Sequence, residues 1–188
     1  MTDINHTRIR EGIVFFLLYA GSIPLSNWLI ENVGTNCAPD GPCLIPVAPG
    51  LEAPSGVLAV GLALILRDLV QRRLGVRWSI AAIALGALLS AGFAPPALVV
   101  ASTMAFLLSE FADLAVYTPL QRRRFVRAVL ASSVVGLVVD SMVFLWLAFG
   151  SLELLGGQVV GKAWMVLVAL PILIWLRSRD RRLGILSA

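Results

Sequence analysis

Residues 128–149 read AVLASSVVGLVVDSMVFLWLAF, an apolar run whose only ionisable group is Asp140, near its middle. Coiled as a helix at 1.5 Å per residue, such a run is about 33 Å long, enough to cross roughly 30 Å of hydrocarbon. Five further stretches have the same character: 12–30, 54–74, 78–93, 96–117 and 155–176. The whole chain agrees with this reading. Of its 188 residues 59% are apolar and 14% are charged, with a mean hydropathy of +0.89, whereas soluble domains carry about 25% charged residues. A water-soluble core of this size could not bury so much apolar surface. The expected fold is an all-α membrane protein, a single transmembrane domain of six helices over residues 1–188.

The basic residues set the expected orientation. Arg8 and Arg10 precede the first span; Arg72, Arg73 and Arg77 join the second to the third; Arg122, Arg123, Arg124 and Arg127 join the fourth to the fifth; Arg177, Arg179, Arg181 and Arg182 follow the sixth. These clusters fall on alternate connections, while the opposite ones carry Glu31, Asp40, Glu52 and Glu153. By the positive-inside rule both termini are cytoplasmic. The net charge of +4 and pI near 9.8 therefore point to a membrane surface, and no nucleic-acid partner is expected. Arg8 and Arg10 ahead of an apolar run also have the form of a secretory signal. Asn27 and Trp28 stand where a small-residue cleavage site would be, however, so the segment reads as retained.

The long connection 31–53 holds both cysteines, Cys37 and Cys43, around a Pro39-Asp40-Gly41-Pro42 turn signal. The turn would bring the two sulfurs together, and on an oxidising outer face a disulfide is expected. Small residues recur in the third span at Ala82, Gly86 and Ser90, one helical face suited to close helix contact within the subunit or across a homodimer.

Six ionisable side chains remain inside the spans: Arg67, Asp68, Glu110, Asp113, Asp140 and Lys162. Each costs at least about 2.5–3.5 kcal/mol at mid-helix on insertion scales, so the set is expected to face one polar interior. Phe106, Glu110, Asp113 and Tyr117 follow at i, i+4, i+7 and i+11 along one face. Gln158 and Lys162 lie one turn apart, and Asn27 sits toward the outer end of the first span. Arg67 and Asp113 are placed to pair, and four acids against two bases leave an excess of negative charge that a proton, a cation or a ligand rich in donors would balance.

Enzymatic chemistry is not expected. Gly156-Gly-Gln-Val-Val-Gly161-Lys162 approaches a phosphate-binding loop, but Ala163 stands where Ser or Thr is needed and no strand precedes it. Ser109 beside Glu110, with no intramembrane His or Cys, makes no nucleophile–base pair. Two cysteines without a nearby histidine are too few for zinc, since His6, the only histidine, is in the tail. No metal or other cofactor is therefore expected.

The polar segments resemble those of the queuosine precursor transporters, also called the vitamin uptake transporter family. The residues that carry the likeness are Arg67-Asp68-Leu69 with Gly75, Ser109-Glu110 with Asp113 and Tyr117, Ser132-Ser133 with Gly136, Asp140-Ser141 with Phe144, and Gln158 with Gly161-Lys162 and Pro171. Ser26-Asn27-Trp28 is the counterpart of a family Asn. Arg67, where many relatives have an uncharged residue, and the two-cysteine loop depart from the pattern.

The resemblance implies an inner-membrane protein importing a 7-deazaguanine such as 7-cyano-7-deazaguanine for queuosine modification of tRNA. A guanine-like edge presents ring and amine N–H donors that a carboxylate accepts as a pair. Glu110 or Asp140 would take that edge, Lys162, Gln158 or Asn27 would serve its carbonyl, and Phe106, Phe144 or Trp164 would stack on the ring. Asp68 and Asp113 complete the expected substrate-binding set. The alternatives are a substrate-capture subunit of an ATP-driven uptake system and a membrane scaffold.

Overall fold

The computed structural model describes residues 2–37, 42–122 and 124–185, so Asp40 with most of the outer turn, and Arg123, lie outside the described residues. Among the described residues there are six α-helices: α1 (Thr2–Asn32), α2 (Val57–Leu74), α3 (Val76–Phe93), α4 (Val99–Leu120), α5 (Phe125–Phe149) and α6 (Leu155–Leu183). A 3-10 turn, Pro96–Leu98, leads into α4. The expected all-α membrane architecture is present, and five of the six helices are long and apolar enough to cross a bilayer.

The exception is α2, and its surroundings explain why. Fourteen of its residues are buried, among them Arg67, Asp68, Gln71, Arg72 and Arg73. A helix buried on all sides has no lipid-facing stripe to keep apolar. Ile65 and Leu69 pack with Tyr117, Val129, Val166 and Leu173, while Ala63, Leu66 and Val70 pack with Tyr19, Ile23 and Ala82. The other five helices turn large apolar residues outward, for example Leu17, Leu88, Val100, Trp146 and Val168.

Two expectations about connecting segments are corrected. Arg72 and Arg73, expected on the connection between the second and third spans, and Arg179, expected after the sixth, lie within α2 and α6 and are held in an ionic cluster that ties α1, α2 and α6 at one end of the bundle. Asp180 takes Arg72 at 2.7 Å and Arg73 at 2.8 Å. Glu11 takes Arg73 at 2.8 Å and Arg179 at 2.5 Å. Arg72 also lies 4.0 Å over the Phe125 ring. Helices that end together bring opposite charges within reach, and the planar guanidinium groups of Arg73 and Arg179 each reach both carboxylates.

The long outer connection is more than a turn. It forms an antiparallel sheet of β1 (Asn36–Cys37), β2 (Cys43–Ala48) and β3 (Leu51–Pro54), with Cys37 bonded to Cys43. The sheet rests on the C-terminal end of α1 and the N-terminal part of α6. Ser55 Oγ donates to the Leu29 carbonyl at 2.6 Å, and Trp164 Nε1 donates to the Val47 carbonyl at 2.9 Å. The small-residue stripe of α3 closes inside the subunit: Gly86 lies against Phe106 and Ile23, where any larger side chain would collide.

Candidate functional site

All six helices contribute to one cavity of about 80 Å³ in the half of the bundle next to the sheet. A buried water needs roughly 10–15 Å³ by the same kind of measure, so several water-sized groups fit. Asn27 comes from α1, Ser90 from α3, Phe106, Ser109 and Glu110 from α4, Asp140 and Phe144 from α5, and Gln158 and Lys162 from α6, with Val60 and Leu64 of α2 as one wall. Of the eight substrate-binding residues expected from sequence, six therefore share a cavity: Asn27, Phe106, Glu110, Asp140, Gln158 and Lys162.

Asp68 and Asp113 do not line it. In α4 the stripe from Phe106 to Tyr117 runs down the helix axis, so Asp113 sits about 4.5 Å deeper than Glu110. Both aspartates gather instead on Arg67, whose Nη2 lies 3.0 Å from Asp68 Oδ1 and 2.9 Å from Asp113 Oδ1. Arg67 Nε donates to Glu110 Oε2 at 3.1 Å. Hence the six charges form two groups: Arg67 with three acids, and Lys162 with Asp140. Glu110 belongs both to the Arg67 group and to the cavity wall.

The second group is closed on itself. Lys162 Nζ donates to Asp140 Oδ2 at 2.6 Å, to Ser141 Oγ at 2.8 Å and to Gln158 Oε1 at 2.5 Å. An ammonium has three N–H donors, so none is left for a ligand. The expectation that Lys162 meets a substrate carbonyl is thereby corrected: it orients Asp140 and turns the Gln158 amide so that its carbonyl is occupied and its NH2 is free. Asn27 keeps its side-chain carbonyl, because its Nδ2 donates to the Ile23 carbonyl at 3.0 Å.

Trp164 is not a platform for a ring in the cavity. It is half exposed on the outside of α6 and bound to β2. Phe106 and Phe144 do line the cavity. Tyr19 escaped the sequence reading although it is fully buried, with its ring 6.3 Å from Phe106. Its signal was present: Tyr19, Ile23 and Asn27 fall at i, i+4 and i+8 on the cavity face of α1. Gln71, one turn after Arg67, was missed in the same way; its Oε1 accepts from Arg67 Nη1 at 3.1 Å.

Residues 92–176 match the model of a family described as "Putative vitamin uptake transporter". The matched segment takes in α4 and α5 and most of α6, with Glu110, Asp140, Gln158 and Lys162 inside it. No curated protein and no solved structure matches the chain.

Proposed function

From a membrane-transporter pattern over residues 92–176, we propose that this multi-pass membrane protein imports a 7-deazaguanine, 7-cyano-7-deazaguanine being the representative case, across the inner membrane for queuosine modification of tRNA. The observation that carries the reading is the cavity itself, which sets two carboxylates, Glu110 and Asp140, and the Gln158 amide between Phe106 and Phe144. A guanine-type edge has two adjacent donors beside one carbonyl. A carboxylate matches the donors and the Gln158 NH2 matches the carbonyl, while an aromatic face covers the ring.

By the positive-inside rule, the arginine clusters at the α2–α3 and α4–α5 connections and near the end of α6 support a cytoplasmic placement of that end, with both termini. The cavity then lies in the outer half, and the ionic cluster of Glu11, Arg72, Arg73, Arg179 and Asp180 ties α1, α2 and α6 together at the cytoplasmic end.

The test is complementation of a bacterial strain unable to make the precursor, fed 7-cyano-7-deazaguanine and read as queuosine in its tRNA. Glu110→Gln and Asp140→Asn each remove an ionised acceptor, whose hydrogen bonds contribute about 1.5–3 kcal/mol. Uptake is expected to fall at least tenfold in each variant while the protein still reaches the membrane. Normal uptake by both would remove the assigned site.

A further inference from the structure

The Arg67 group stands between two openings. On one side is the outer cavity, with Glu110 in its wall. On the other is a groove at the cytoplasmic end, lined by Gln71, Arg77, Trp78, Thr118, Gln121 and Arg122. Gln71 belongs to that groove and to the Arg67 group at once. It accepts from Arg67 Nη1 at 3.1 Å and donates from Nε2 to Thr118 Oγ1 at 3.0 Å. Glu110, Arg67, Gln71 and Thr118 thus form an unbroken polar line from one opening to the other.

The charges on that line do not balance. Asp68, Glu110 and Asp113 face a single guanidinium, and all four side chains are at most 2% exposed. Fully ionised, the group would hold two uncompensated negative charges in a low-dielectric interior, which is too costly to persist. Other cations are engaged elsewhere: Lys162 by Asp140 and Arg72 by Asp180. Around the group, α1 contributes Tyr19 beside Glu110, α4 contributes Tyr117, and α5 contributes Ser132. Arg72 of α2 lies over the Phe125 ring, α6 presents Val166, Ala169 and Leu173, and α3 presents Ala82.

An independent observation concerns the hydrogen bonds of the two aspartates. Ser132 Oγ donates to Asp68 Oδ2 at 2.9 Å, whereas Asp68 Oδ1 and Asp113 Oδ1 lie 3.0 and 2.9 Å from Arg67 Nη2 without a well-directed hydrogen bond, and among the described residues the buried Tyr117 hydroxyl has no hydrogen-bond partner. A buried carboxylate short of well-directed donors is destabilised, whereas a protonated one becomes a donor itself. Asp68 and Asp113 meet on the same Arg67 nitrogen, so one proton held by either relieves the repulsion between them and halves the excess charge of the group.

We propose that the Asp68–Asp113 pair on Arg67 binds a transported proton, which enters from the outer cavity past Glu110 and leaves to the cytoplasmic groove at Gln71. A hydronium in the cavity gives up its proton and becomes water. The neutralised carboxyl relaxes its hold on Arg67. The same proton then passes to a water in the groove, restoring the carboxylate, so one proton crosses per cycle with no change of electrons. This rests on the transport reading above and adds its driving force.

Infrared spectra of the purified full-length protein at neutral pH test proton binding without any substrate. A protonated-carboxyl band is expected, and it is lost in Asp113→Asn or, should that variant not fold, in Asp68→Asn. Absence of the band from the wild type, or its persistence in both variants, overturns the proposal. Transport is read in proteoliposomes with labelled 7-cyano-7-deazaguanine and trapped pyranine. With the outside one pH unit more acid, the wild type is expected to accumulate the probe about tenfold, as one proton per neutral base requires, with matching proton entry. Asp113→Asn is expected to exchange the probe but not accumulate it. Saturable uptake that ignores the gradient and moves no proton overturns the coupling and leaves the transport reading standing. No uptake by the wild type under either condition removes the transport reading and this proposal with it.

Discussion

Lys162 and Asp140 show how a charge survives inside the bundle. The ammonium is 1% exposed, and its three donors are all used within the protein. Removing one member of a buried pair strands the other, at about 3–5 kcal/mol. Lys162→Met is therefore expected to lower the unfolding temperature in detergent markedly. Lys162→Met combined with Asp140→Asn is expected to recover most of that loss without recovering uptake. Arg67→Gln is the harsher case, since three acids lose one cation, and it is expected to leave little folded protein in a detergent extract read by size-exclusion chromatography. That Asp140 and Glu110 would face the interior of the bundle was legible from sequence, because charge inside lipid is costly wherever it falls. That Lys162 has no donor to spare was not, because saturation depends on Ser141 and Gln158 converging on the same nitrogen.

At the level of the helices, α2 is the pivot. It could be located as a span from its apolar character up to Leu66, yet its central place showed only in its burial by the other helices. Gly61 lets α6 approach it closely: a Cβ there would stand 2.8 Å from the Lys162 carbonyl oxygen. Gly61→Val forces that contact apart and is expected to cost about 1–3 kcal/mol, as overpacking does. The measurement is again thermal unfolding in detergent, with uptake falling alongside because the same shift moves Lys162 and Asp140. The α4 stripe teaches the complementary lesson. Periodicity placed Phe106, Glu110, Asp113 and Tyr117 on one face correctly, but a face extends along the axis as well as around it. Its upper half reaches the cavity and its lower half meets Arg67.

Across the whole molecule, the ionic cluster of Glu11, Arg72, Arg73, Arg179 and Asp180 requires the beginning of α1 and the end of α6 to lie at one end of the bundle. Reporter fusions at the two termini are accordingly expected to give the same, cytoplasmic signal; opposite signals would refute the assigned orientation. At the other end, Cys37 and Cys43 are bonded. A membrane-impermeant thiol reagent applied from outside is expected to label neither until the protein is reduced.

The sequence alone determined that lipid is the solvent, where the helices run, and which polar groups cannot escape burial. Each follows from local quantities: the length of an apolar run, the spacing along a helix and the cost of a charge in hydrocarbon. Only the tertiary structure decided how those groups are shared out. Arg67 meets Glu110 across 43 positions of the chain, and Arg72 meets Asp180 across 108. Pairings at such separations are set by how helices pack, and several arrangements of the same six helices would have buried the same residues with different partners.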